Sequence, residues 1–345
     1  MNILFIGSTL FDKTSNSYLR MKSVEKLNHN VKYIDPFKFF LKETYLLKHF
    51  HFLSGYQFFQ NKLFNWFKVE IKKIKFNPDV IWVDGGELLG VKILKFLKTY
   101  KSKLILTNND DVTGHRDNLR FHTLKKSLKF FDYCFVYRFE NISEYKQFGA
   151  KKVFMTKFSY DEYYHKKINI KKIPKFFFND ISFIGTLIKN ENRDEFIYYL
   201  IKNGLKVSIW GGRWEKSKYW GYLKPFYKGK DLYKKNYAKA IGASKISLGF
   251  LSKNNRDKST RRSVEIPYAG GLLCAERTKK HLSMFKDKKE AFFWSTKEEC
   301  LKICRKLLAN NKLINTVKKA GRKRVIKGKY GNRDFANEIL KKIKE

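Results

Sequence analysis

Short apolar runs that end in glycine or acidic residues alternate along this chain with segments whose apolar positions recur every three or four residues. The first run, Ile3-Leu4-Phe5-Ile6, closes on Gly7-Ser8 and suits a strand buried on both faces of a parallel sheet. Helical spacing follows over 17–26, then a strand over 31–34 closed by Asp35-Pro36. This strand–helix–strand opening predicts a doubly wound domain. Further strands are predicted at 80–83, 104–107, 133–136 and 152–155, with helices over 88–99, 120–130 and 140–148 between them. Residues 37–74, where Phe, Tyr and Leu mix with Lys, read as helices. Their pattern favours ordinary core packing with solvated lysines, but a basic aromatic helix also suits an anionic membrane surface.

The alternation breaks at 166–178, a charged stretch carrying Pro174, and there we place the domain boundary. The cycle then restarts, because Ile181-Ser182-Phe183-Ile184-Gly185-Thr186 mirrors the opening of the chain. Helices are predicted over 193–203, 234–243, 261–269, 297–309 and 312–327, and strands over 207–210, 246–250 and 270–275. The organisation expected is therefore a first domain over 1–170, a second over 176–330 and a closing helix over 331–345. Both domains read as Rossmann-like, with a cleft between them.

Composition narrows the partners. Lys and Arg number 74 against 32 Asp and Glu, a formal net charge of +42. Such a basic protein suits an anionic partner. Yet the lysines are spread along the whole chain, whereas a nucleic-acid footprint is concentrated, so compositional bias accounts for most of the excess and no specific nucleic acid is expected. The four cysteines include no Cys-x-x-Cys pair and the seven histidines are scattered, so neither metal nor cofactor is expected. The N-terminus lacks the basic leader and long apolar core of a signal peptide, and no apolar stretch is long enough to span a bilayer. The expected location is the cytoplasm, with peripheral contact at the inner face of the membrane.

Three regions carry candidate chemistry. At the first strand of the second half, Gly185 and Thr186 form a glycine turn followed by Lys189 and Arg193. Backbone amides at a strand end, with basic side chains, suit a diphosphate, although a lone glycine after a strand is usually only a turn. Trp210 and Gly211, ending the next strand, join this set. The second region runs from Asn255 to Gly271. Ser259 or Thr260 is placed to cap a helix, Arg261 or Arg262 to hold a pyrophosphate, and Glu265 to accept hydrogen bonds from both ribose hydroxyls. The alternative is a solvated basic turn in which Glu265 is an i,i+4 charge partner. In the third region, Asp110 and Asp111 follow a strand with His115 close behind, as a general base would. The alternative is helix capping. Asp84-Gly85-Gly86-Glu87 is a similar strand end.

Residues 260–278, from Thr260-Arg261-Arg262 through Glu265-Ile266-Pro267 and Gly270-Gly271 to Glu276-Arg277-Thr278, resemble the signature segment of CgeB-like (spore maturation protein) glycosyltransferases. Asn109-Asp110-Asp111, Phe148-Gly149-Ala150-Lys151-Lys152-Val153 and the segment 237–246 fall in the same order as that family's other blocks, and 285–324 follows its C-terminal pattern. The likeness is strong over about 180–330 and looser over 1–165. It implies an α/β GT-B fold, two Rossmann-like doubly wound domains facing across a cleft. A nucleotide-sugar would be held by the second domain and an acceptor by the first. It further implies Glu265 as the ribose carboxylate, Arg261 or Arg262 as a phosphate contact, and a close backbone turn at Gly270 and Gly271. Enzymes of this fold generally need no bound metal. The chain departs from many retaining relatives in one respect: eight residues before Glu265 stands Asp257 rather than Glu.

The function implied is a metal-independent, hexosyltransferase-like transfer from a nucleotide-diphosphate-sugar to a glycan, lipid-linked or protein acceptor, as in polysaccharide biosynthesis. The alternative is a non-catalytic sugar-nucleotide- or polyanion-binding protein on the same scaffold.

Overall fold

A computed structural model describes residues 1–8 and 15–345. Two compact units are present. The first comprises residues 1–157, 254–256 and 332–345, and the second 158–253 and 257–331.

The first unit contains β1 (Asn2–Ile6), α1 (Asn16–Glu25), β2 (Asn30–Ile34), α2 (Pro36–Phe40), α3 (Tyr45–Leu53), α4 (Gln60–Ile74), β3 (Val80–Asp84), α5 (Val91–Lys98), β4 (Lys103–Thr107), α6 (His122–Ser127), β5 (Tyr133–Val136), α7 (Glu140–Gln147) and β6 (Val153–Met155). Its six strands form one sheet in the order β2-β1-β3-β4-β5-β6, every pair parallel. The central strands are buried at every position of 80–84, as crossover helices on both faces require. Local chemistry sets the helix starts. The Asp35 side chain accepts from the Phe37 amide with Pro36 at the first helical position, and Thr44 caps α3.

The second unit contains β7 (Asn179–Ile184), α8 (Arg193–Lys202), β8 (Val207–Trp210), α9 (Trp220–Leu223), β9 (Tyr227–Gly229), α10 (Lys234–Ala243), β10 (Ser244–Gly249), α11 (Arg262–Tyr268), β11 (Leu273–Glu276), α12 (Lys279–Met284), β12 (Phe292–Trp294), α13 (Lys297–Leu308) and α14 (Asn311–Lys327). The strand order is β12-β11-β10-β7-β8-β9, again all parallel. Read from β9, the chain winds 3-2-1-4-5-6 from its first strand, so the order reverses between β7 and β10. A last helix, α15 (Asn332–Lys342), belongs to the first unit, where Phe335 lies beside Trp82 with ring centroids 6.3 Å apart.

The region 37–74 divides. In α4, Leu63, Phe67 and Ile71 are buried in the first unit's core. In α3, Tyr45, Leu46 and Leu53 are 79, 78 and 54% exposed. Among the described residues no helix is long and apolar enough to cross a membrane.

Candidate functional site

In an open parallel sheet, ligands bind beyond the carboxyl ends of the strands where the winding reverses. In the second unit that point lies beyond Ile184 and Gly249. Gly211, at φ +136°, comes so close to β7 that a Cβ there would sit 2.2 Å from the Gly185 carbonyl oxygen and 3.0 Å from the Thr186 nitrogen. Only glycine permits this approach. The Trp214 indole donates to the same Gly185 carbonyl at 2.9 Å. Arg262, the first residue of α11, donates through Nε to the Ile184 carbonyl at 2.7 Å. Gly185, Thr186, Gly211 and Arg262 are thus brought together at the switch point.

Glu265 sits one turn into α11 and is buried. Its Oε1 accepts from Arg261 Nε at 2.9 Å, and its Oε2 accepts from the Tyr237 hydroxyl at 3.0 Å. Burial pushes its pKa up, but the charges of Arg261 and Arg262 and the Tyr237 hydrogen bond outweigh burial and leave it below the ordinary glutamate value. The carboxylate is therefore ionised at neutral pH, and each oxygen keeps a lone pair for a further donor. His165, with Nδ1 3.9 Å from Glu265 Oε1, accepts there from the Asp161 amide at 3.0 Å. Burial lowers its pKa, so it is neutral, with its proton on Nε2.

The start of α11 is held otherwise than expected. Neither Ser259 nor Thr260 caps it, and the residue before the helix, Arg261, is itself helical. Instead the Thr260 amide donates to Ser263 Oγ at 3.0 Å. Ser263 Oγ lies 2.8 Å from His281 Nε2, and His281 Nδ1 lies 2.7 Å from the Glu276 carbonyl. A carbonyl only accepts, so Nδ1 carries the proton and Nε2 accepts from Ser263. Burial lowers the His281 pKa, which keeps this relay neutral.

Other expected donor residues lie elsewhere. Arg193 is buried and braces loops, donating to the Thr186 carbonyl at 3.1 Å and the Leu251 carbonyl at 3.3 Å, and pairing with Glu191 at 2.5 Å. Lys189 is exposed. Trp210 is 1% exposed, packed in the core. Gly270 and Gly271 join the carboxyl end of α11 to the amino end of β11, at the end of the sheet away from the switch point. There a Cβ on Gly271 would meet Ile241 Cγ2 at 2.5 Å. Their smallness serves packing of helix on sheet.

In the first unit the three expected base candidates differ in their surroundings. Asp111 has a fully buried side chain held by Arg256, at 2.6 Å to Oδ2 and 2.7 Å to Oδ1, and by Asn141 Nδ2 at 2.7 Å. Both of its oxygens are thus already committed to donors on this chain. Asp110 is 34% exposed at its side chain, 3.5 Å from Arg120 and 3.7 Å from Arg116. His115 is exposed. Sequence reasoning missed Arg20, which lies within α1 and reads as a solvated helix position. It is buried at that sheet's own switch point, between β1 and β3, bonded to Asp84 at 2.7 Å, Asn109 at 2.6 Å and the Tyr137 hydroxyl at 2.9 Å. It also missed Tyr237, His165 and His281. Among the described residues one group of metal-ligand type converges: Cys274, Cys300 and Cys304, with sulfurs within 4.8 Å of one another, fully buried in the second unit's core.

Residues 193–341 match the family model described as glycosyl transferase-like. No curated protein matches the sequence. Among solved structures, the chain is similar to sucrose-phosphate synthase from Thermosynechococcus elongatus, with a TM-score of 0.69 at 10% identity over 100% of this chain and 98% of that one. It is also similar to HepE from Anabaena in complex with UDP-glucose, at 0.68 and 12% over 100% and 99%. A third likeness is to a glycosyltransferase from Rickettsia africae, at 0.59 and 12% over 99% and 97%. The fold is accordingly the two-domain α/β architecture of the GT-B class.

Proposed function

We propose that this chain is a glycosyltransferase that moves a sugar from a nucleotide-diphosphate-sugar, bound by the second unit, to an acceptor hydroxyl. The observation that carries this reading is the ionised, buried Glu265 with Arg261 and Arg262 beside the glycine turns of the switch point, inside the segment that matches the glycosyl transferase-like family. Glu265 accepts hydrogen bonds from the two ribose hydroxyls through the lone pairs that Arg261 and Tyr237 leave open. The crystallised complex of HepE with UDP-glucose supports a sugar-nucleotide as the donor.

In the reaction the bond from the anomeric carbon to the diphosphate oxygen breaks, and the acceptor oxygen bonds to that carbon. The acceptor's proton passes to a base. Negative charge builds on the leaving diphosphate. The two guanidinium groups, already fixed by Glu265 and by the Ile184 carbonyl, stabilise it electrostatically without a metal, and one such preorganised donor is worth about 10²–10³ in rate. On the acceptor side Asp110 takes the place of base, since its carboxylate is the more accessible of the two adjacent acids. We further read the chain as a CgeB-like, hexosyl-transferring enzyme that acts on a surface glycan, a lipid-linked glycan or a protein. The exposed apolar side chains of α3, with Lys42 and Lys48 beside them, fit peripheral contact with an anionic membrane.

Nucleotide release from UDP-, GDP-, dTDP- and CMP-sugars tests the reading. One donor class should be turned over, with no loss in a chelator, and Glu265→Gln should lower kcat/KM by about 10- to 100-fold, the value of a hydrogen bond to a charged group. Tight donor binding without turnover for any donor and acceptor would favour the non-catalytic sugar-nucleotide-binding reading, which the neutralised Asp111 supports.

A further inference from the structure

The second unit has a groove at the end of its sheet away from the switch point. Two adjoining cavities, of about 630 and 840 Å³, share Ile170, Gly242, Asn315 and Lys318. The smaller opens at the amino ends of β7 and β10, at Asn179 and Ser244. The larger is lined by Lys167, Lys318, Lys319, Arg322, Lys323 and Lys327 and by no acidic residue. None of these six cations forms an ion pair among the described residues, whereas Lys245 at the rim of the smaller cavity pairs with Asp180 at 2.8 Å.

Two features mark the groove as built. Lys318 is half-buried, its ammonium donates to the Ser244 carbonyl at 2.6 Å, and burial pushes its pKa down to about 8. A cation so placed without a counter-charge is costly, and an anion in the groove would offset that cost. Gly270 stands at φ +85°, and a Cβ there would lie 3.0–3.3 Å from the Lys167 side-chain carbons, so glycine leaves the room in which Lys167 lies along the wall. Five of the cations come from α14, at 318, 319, 322, 323 and 327. At 1.5 Å per residue they extend over about 14 Å, which suits successive charges on an extended chain better than one compact ion.

We propose that this groove binds a linear anionic polymer, a flexible chain with regularly spaced phosphate or carboxylate groups. The larger cavity has no aromatic side chain, and single-stranded nucleic acid is generally held on aromatic stacking platforms. The cations line a concavity, which a lipid surface reaches poorly. The site stands independently of the donor reading.

The test is calorimetric titration of the full chain with inorganic polyphosphate at two salt concentrations. The wild type should bind, more weakly at higher salt. Removing three exposed groove cations together, Lys319→Ser, Lys323→Ser and Lys327→Ser, should weaken binding at least about tenfold, since each lost contact removes counterion release. A charge-matched control, Lys289→Ser, Lys302→Ser and Lys306→Ser, should stay within about twofold on the same ground, and both variants should keep the wild-type Tm. Lys318→Met provides a second reading should the triple variant fold poorly, and it too should weaken binding. Equal losses in groove and control variants would overturn the proposal by reducing it to net charge. So would an absence of polymer binding, or tighter groove-dependent binding to anionic vesicles or a single-stranded oligonucleotide than to polyphosphate.

Discussion

Arg256→Ala tests the reassignment of Asp111 from candidate base to structural ion pair. The substitution removes both guanidinium contacts, at 2.6 and 2.7 Å, from a carboxylate with 0% side-chain exposure. Breaking one side of a buried pair costs about 3–5 kcal/mol. Arg256 itself is 31% exposed, so water replaces part of what is lost, and we expect about 2–3 kcal/mol. Adding Asp111→Asn should return about 1 kcal/mol or more, because an amide is buried without charge. The variant also carries a pH signature. Hydrogen bonds from Arg256, then from Thr113 and Asn141, hold Glu144 at about 2, below its ordinary 4.5. That stabilisation is present above pH 4.5 and fades as pH falls toward 2. The gap between wild type and variant should therefore narrow between about pH 5 and 3. Urea unfolding followed by amide exchange in the 103–113 segment confines the readout to the first unit. A loss below about 0.5 kcal/mol, or one unchanged across that pH range, would refute the reasoning.

Other outcomes follow from the same geometry. Gly271→Ala places a methyl 2.5 Å from Ile241 Cγ2 and 3.2 Å from a backbone carbonyl, and should cost about 1–3 kcal/mol by overpacking, read by thermal unfolding. Lys318→Met should stabilise the protein at pH 7 by about 1–2 kcal/mol. The wild type's stability should rise as pH passes from about 8 toward 10.5, where the unfolded chain binds the extra proton, and the variant should lack that rise in pH-dependent melting. Tyr45→Ser with Leu46→Ser and Leu53→Ser, at positions 79, 78 and 54% exposed, should leave Tm unchanged while reducing co-sedimentation with anionic vesicles.

The central strands were readable because they are buried on two faces and appear as short apolar runs. The short edge strands β9 and β12 went unpredicted. The α11 segment was legible as a candidate site from its Arg-Arg and Glu spacing. The helix itself is seven residues long, with Pro267 inside it. What escaped depends on distant partners. Arg20 is buried because Asp84, 64 residues away, faces it, and Asp111 is neutralised by a residue 145 positions later. Helical periodicity carries neither fact. Cys300 and Cys304 are one turn apart on α13, but only the sheet brings Cys274 to them. Gly270 and Gly271 sit within the signature segment yet at the far end of their helix, at the amino end of β11.

The central claim, a nucleotide-sugar bound at the Glu265 end of the second unit, is tested most directly by thermal shift against UDP-, GDP-, dTDP- and CMP-sugars, for the wild type and Glu265→Gln. At about a hundred times its Kd, a ligand adds about 2.7 kcal/mol. The account predicts that one nucleotide class raises the Tm of the wild type and that the shift is largely lost in the variant. A wild type unmoved by every donor, or a shift of equal size in Glu265→Gln, would contradict it.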